Sequence, residues 1–274
     1  MRKTLKLVAI AVLFISTASA QTSAAQTVPF GDGESLHYTV SYRAALIPPI
    51  NMMRVSLQTT AERFGGRAHF HVVGSGRTTG AAKGLMELND TYHAWLDAKT
   101  LLPSRMTSDI AENDYRFRAT YNYDWGAMSV ANVRRRSTWS EDRRAVIPLT
   151  ENSGDALSLF FRLRALDVAA LSPGRSFPLR LVLDEDSKPI TFRFVGREEI
   201  KIRRVGTFRA LKFTCTMATS DGETFEEGMT FTVWVSDDDN RIPLLVDCPI
   251  RIGRVRATLA DGFRTVHPMA SMVE

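Results

Sequence analysis

The chain has 274 residues, of which 44% are hydrophobic, 24% charged and 9% aromatic. That is enough for one large domain or two small ones with a substantial core, and it excludes a disordered chain, a collagen and, with 2 cysteines, a disulfide scaffold. The formal charge of +5 and isoelectric point near 9.4 raise a nucleic-acid or membrane-surface partner, which the N-terminus then decides.

Arg2, Lys3 and Lys6 precede an apolar run from Leu7 to Ile15, followed by the small residues Ser16 to Ala20. This is the pattern of a secretory signal peptide over residues 1–20, with Gln21 as the new N-terminus. The run is too short for a membrane anchor, and no cysteine follows it to carry a lipid. Removing those three cations from 35 basic residues leaves 32 against 30 acidic ones, a net charge of +2. A nearly neutral exported chain is a poor nucleic-acid binder. The expected location is therefore the periplasm or envelope, with residues 21–30 a flexible lead-in.

From Ser35 onward the dominant signal is period-two alternation. It runs through Leu36–Tyr42, Val55–Thr59, Ala68–Val72 and Tyr115–Tyr123, and again through Phe177–Leu183, Ile190–Phe194 and Thr230–Val235. Turn chemistry separates the runs at Gly65-Gly66, Asp124-Trp125-Gly126, Asp184-Glu185-Asp186, Asp221-Gly222 and Asp237-Asp238-Asp239-Asn240. The pattern predicts about a dozen antiparallel strands with one wet face. Ala81–Leu88 allows a turn or two of helix. A stronger helix spans about 154–166: Asn152 to Asp155 cap it, and it is apolar nearly all round, hence buried. The expected architecture is a single mainly β domain over 31–265. Its halves, about 31–150 and 167–265, are joined by that helix and curve into an open barrel or sandwich. An outer-membrane barrel is disfavoured, because the strand faces are charged and aromatic girdles are lacking.

Several segments together resemble a known family. They are Phe30–Tyr38, Asp90-Thr91-Tyr92 leading to Thr100–Pro103, Asp155–Arg164, Val195–Glu198, Gly206–Phe208, Val233–Leu244 and Ile252-Gly253. The chain resembles the exported bacterial family called domain of unknown function 3108 over about 30–262. The resemblance implies a periplasmic or envelope-associated β protein without an established activity, and it carries over no catalytic residues.

Candidate chemistry is sparse. The Asp237–Asn240 turn could hold a cation, but its spacing does not match a calcium loop, and a tight hairpin explains it. His69 and His71 share one strand face opposite Phe70 and Val72, where two imidazoles could share a metal, but no third ligand is placed and a solvated polar face is expected. Arg134-Arg135-Arg136, Trp139 and Arg143-Arg144 form a basic patch that could grip an anionic ligand, with Trp139 offering a flat face, but Glu141 and Asp142 interrupt it and a charged polar hairpin explains it. Asp155, Ser158 and Arg162 make one polar stripe on the helix, read as a cap and anchor or as a buried network. Gly74-Ser75-Gly76 lacks a nucleophile elbow. Cys215 and Cys248 can pair in an oxidising compartment. In a simple meander, however, one strand separates them by about 9–10 Å, too far for a bridge.

The function expected from sequence is non-catalytic: binding of an apolar or glycan-like envelope ligand, or of a partner protein, in the cleft of a curved sheet. Candidate contacts are Trp139, Asp155, Ser158, Arg162, Trp234, Asp237, Asp239, Asn240 and Arg241. No cofactor or metal is implied, and neither nucleic acid nor a membrane span. The alternatives are a hydrolase of envelope material and a structural assembly partner.

Overall fold

The computed structural model describes residues 28–45, 47–84, 86–217 and 230–273. The expected signal peptide, most of the lead-in and the Asp221-Gly222 turn lie outside the described residues. Alternation becomes strand where it is expected. The first half holds β1 (Ser35–Ala44), β2 (Ile47–Phe64), β3 (Arg67–Thr78), β4 (Asn89–Asp97), β5 (Pro103–Glu112), β6 (Tyr115–Asp124), β7 (Ser129–Arg136) and β8 (Arg143–Pro148). Short β9 (Ser153–Gly154) leads into α1 (Ala156–Arg164). The second half holds β10 (Ser176–Leu183), β11 (Asp186–Ile202), β12 (Gly206–Met217), β13 (Thr230–Ser236), β14 (Pro243–Pro249), β15 (Arg254–Leu259) and β16 (Met272–Val273). The helix expected at Ala81–Leu88 is a 3-10 turn at Gly80–Gly84.

The two halves form one continuous sheet. β1 to β8 make an antiparallel meander, β10 to β15 make another, and β1 pairs with β15 from Tyr38 against Leu259 to Arg43 against Arg254. The halves are thus joined edge to edge as well as through the helix. The order runs from β8 to β9 without closing, so the sheet is an open, barrel-like curve rather than a sandwich. Edge strand β8 carries Arg143, Arg144 and Pro148, residues that discourage a second chain from pairing there. The tip of the β10–β11 hairpin leans onto the first half, where Arg134 binds Glu185 at 2.5 Å.

The inward apolar rows of the long strands and α1 share one core, and all nine helix residues are buried. Gly74 lets the helix approach: a Cβ there would lie 3.4 Å from Leu157 and 3.2 Å from Leu57. Phe161 meets Phe30 edge-on at 4.6 Å, and Phe30 meets Phe70 at 5.2 Å. Asp155 caps the helix by accepting from the Ser158 amide at 3.0 Å, as its position predicts.

At the other end of α1, Arg164 grips Glu34 with two hydrogen bonds of 2.6 Å, both side chains being 1% exposed. The same guanidinium donates to the carbonyls of Asn240 and Pro29, and Arg241 donates to the carbonyl of Arg164. Three of the segments that carry the family resemblance, around Glu34, Arg164 and Asn240, therefore converge on one buried ion pair.

Candidate functional site

The nine residues expected to line a cleft fall in three places: Asp155, Ser158 and Arg162 at α1, Trp234, Asp237, Asp239, Asn240 and Arg241 on β13 and the turn after it, and Trp139 between β7 and β8. Trp139 sits beyond β7 with its ring covered from within the chain, by Arg143 at 4.1 Å and Arg136 at 5.7 Å. Asp155 and Ser158 cap the helix, and Arg162 reaches back to the carbonyls of Ser153 and Glu151. Burial pushes the Asp155 carboxyl upward against the hydrogen bonds from Ser158. That is the anchoring role of the polar stripe. Trp234 lies beneath Lys212 and donates to Glu198 at 2.5 Å. Asp237 pairs with Arg197 at 3.1 Å.

The acidic turn is structural. Asp238 accepts from Ser236, Asn240 and Ser271, and the Asn240 side chain binds the 267–268 backbone. Arg241 caps the far end of α1 from Asp155. With α1 in the hollow, the cleft expected from sequence is occupied by the protein itself.

Cys215 and Cys248 are free, buried thiols on β12 and β14 with β13 between them. The intervening strand is the reason no bridge forms.

The groove that the structure does present lies at the rim of the sheet, where alternate hairpins of the first meander turn side by side. Its volume is about 440 Å³, and Phe64, Gly65, Arg67, Ser104, Tyr123, Asp124, Trp125 and Gly126 line it. The sequence builds each wall locally. Gly65 and Gly66, with φ of +57° and +80°, make the tight β2–β3 turn that positions Phe64 and Arg67. The Asp124 carboxylate accepts from the amides of Gly126 and Ala127, closing the β6–β7 turn. Trp125 is pinned by donating to the Pro103 carbonyl at 2.8 Å and stacks with Tyr123 at 6.0 Å.

Behind Phe64 a row of rings continues along the outer face. Phe64 stacks on Trp95, Trp95 on His71 at 4.5 Å, and His71 on His93. Glu62 holds this row by accepting from Trp95 at 2.6 Å and lying 3.3 Å from His71. His71 and His93 touch through ring nitrogens 3.0 Å apart, and burial together with the charge of His71 holds His93 below the usual imidazole range. His69, expected beside His71, is directed elsewhere: its Nε2 lies 2.8 Å from Ser104 Oγ on the groove wall. Among the described residues no group of three histidine, cysteine or acidic side chains is placed to hold a metal.

An unclosed antiparallel sheet wrapped around its own helix, with a groove at one rim, defines a β-barrel-like protein. Residues 37–260 match the family described as a protein of unknown function (DUF3108), and the chain belongs to that family. Its fold is similar to that of a β-barrel-like protein of domain of unknown function DUF1849 from Brucella abortus. The two share 10% identity at a TM-score of 0.54, over 86% of this chain and 99% of that one. A more distant likeness, at 12% identity and a TM-score of 0.37, covers 86% of this chain and 98% of a Bacteroides fragilis protein described as a "putative exported protein with YmcC-like fold". No curated protein matches the sequence. Among the described residues no helix is long and apolar enough to cross a membrane.

Proposed function

We propose that the protein is exported and binds a small glycan-like ligand of the cell envelope in the rim groove. Export is supported by the basic, apolar and small-residue succession of residues 1–20. The observation that carries the binding reading is the lining of the groove. Phe64, Tyr123 and Trp125 supply flat apolar faces, and Arg67, Ser104 and Asp124 supply polar contacts, within a volume usual for small-molecule sites. Sugar rings present both kinds of surface at once. An apolar guest in the hollow of the sheet is less well supported, because α1 fills that space.

The test is titration of the purified protein with soluble envelope oligosaccharides, followed by calorimetry. The wild type binds, and Trp125→Ala weakens binding about tenfold or more, the loss of one stacking face. An absence of binding by the folded wild type overturns the reading.

A further inference from the structure

We propose that Ser104 and His69 form a nucleophile–base pair that hydrolyses a carboxylic ester presented in the rim groove. For its substrate class, an O-acylated sugar, this rests on the glycan reading of the groove; the pair itself rests on geometry alone.

Ser104 lies where the register between β4 and β5 slips: Leu96 faces Pro103 while Trp95 faces Arg105, leaving Ser104 as the extra residue of a bulge. Bulges re-aim a side chain out of the regular alternation and recur next to active sites. Here the bulge sets Ser104 on the groove wall with its Oγ 2.8 Å from His69 Nε2, within the reach a general base needs.

The other ring nitrogen fixes the proton. Nδ1 lies 3.1 Å from the Arg67 backbone carbonyl, which can only accept, so in the neutral imidazole Nδ1 carries the hydrogen and Nε2 keeps its lone pair. Ser104 must therefore donate to Nε2. His69 is 1% exposed, and Phe64 covers it edge-on at 5.5 Å. The base is thus oriented by a third group and shielded from water, which is the general logic of an activated serine. The Arg67 side chain lines the same groove, 71% exposed and 3.6 Å from the Asp97 carboxylate, and adds a cation on the side where an oxyanion would develop.

The chemistry balances with water as the only co-reactant. Ser104 Oγ attacks the ester carbonyl carbon while its proton passes to His69 Nε2. The carbon–oxygen bond to the leaving alcohol then breaks, and Nε2 returns the proton to that oxygen. Water next attacks the acyl-serine and gives a proton to Nε2. The serine ester bond breaks, Ser104 regains its proton, and a carboxylic acid departs.

The test exposes the purified protein to a fluorophosphonate probe and follows p-nitrophenyl acetate turnover. The wild type carries the probe on Ser104 by peptide mass spectrometry. Ser104→Ala and His69→Gln each lower turnover at least about 100-fold. Should His69→Gln not fold, Ser104→Ala decides, since it removes only a hydroxyl. Turnover by the wild type no faster than by Ser104→Ala, with Ser104 unlabelled, overturns the pair even if oligosaccharides bind. Labelling of Ser104 without oligosaccharide binding supports the pair and overturns the sugar as its substrate class.

Discussion

Arg164 places a full charge in the hollow of the sheet and meets Glu34 there, with carbonyls of Asn240 and Pro29 taking further hydrogens. Removing one member of such a pair strands the other in low dielectric, which costs far more than losing an exposed pair. Arg164→Met is expected to lower unfolding free energy by about 3–5 kcal/mol, measured by urea denaturation. The double variant with Glu34→Gln recovers part of that loss, because the stranded carboxylate is gone. A loss near zero in the single variant contradicts the assignment.

Helical spacing made Asp155, Ser158 and Arg162 visible in the sequence, since they share one stripe. Arg164 was not visible, because Glu34 and Asn240 lie 130 and 76 residues away.

At the scale of elements, α1 and β9 meet at a glycine. A Cβ on Gly154 would lie 2.6 Å from Ser158 Oγ and 2.8 Å from Leu159 Cδ2, inside any tolerable contact. Gly154→Ala is expected to cost about 1–3 kcal/mol by overpacking, read as a lower melting temperature with the far-ultraviolet β signal retained. An unchanged melting temperature shows that the helix start can shift.

Both the helix and the Gly65-Gly66 turn were legible, because period and turn chemistry are local properties. The groove was not. Phe64, Ser104 and Trp125 stand on three separate stretches, and only antiparallel pairing across β2 to β6 brings them to one rim. Alternation placed His69 with His71 on a solvated strand face, whereas the structure buries His69 to 1% exposure. Its partner depended on a bulge in another strand.

For the whole molecule, the thiols report the integrity of the sheet. Burial pushes Cys215 well above the usual thiol range, with the nearby Cys248 adding to the effect, and burial carries Cys248 up to about 12. Neither thiol presents a thiolate at neutral pH. Both are expected to resist a disulfide-exchange reagent in the native protein and to react together when denaturant unfolds the sheet. Fast reaction of either one under native conditions shows that β12 to β14 open locally.

The sequence by itself determined the inward rows of strongly alternating strands such as β1, β6, β10 and β13, where the helix begins, and the basic, apolar and small-residue pattern of the N-terminus. Each of these follows from neighbours within a few positions. Only the tertiary structure decided that the halves join through β1 and β15, that α1 occupies the hollow, and that the open groove lies at the rim. Those outcomes depend on strand register and on contacts between residues far apart in the chain. Local periodicity carries no record of either.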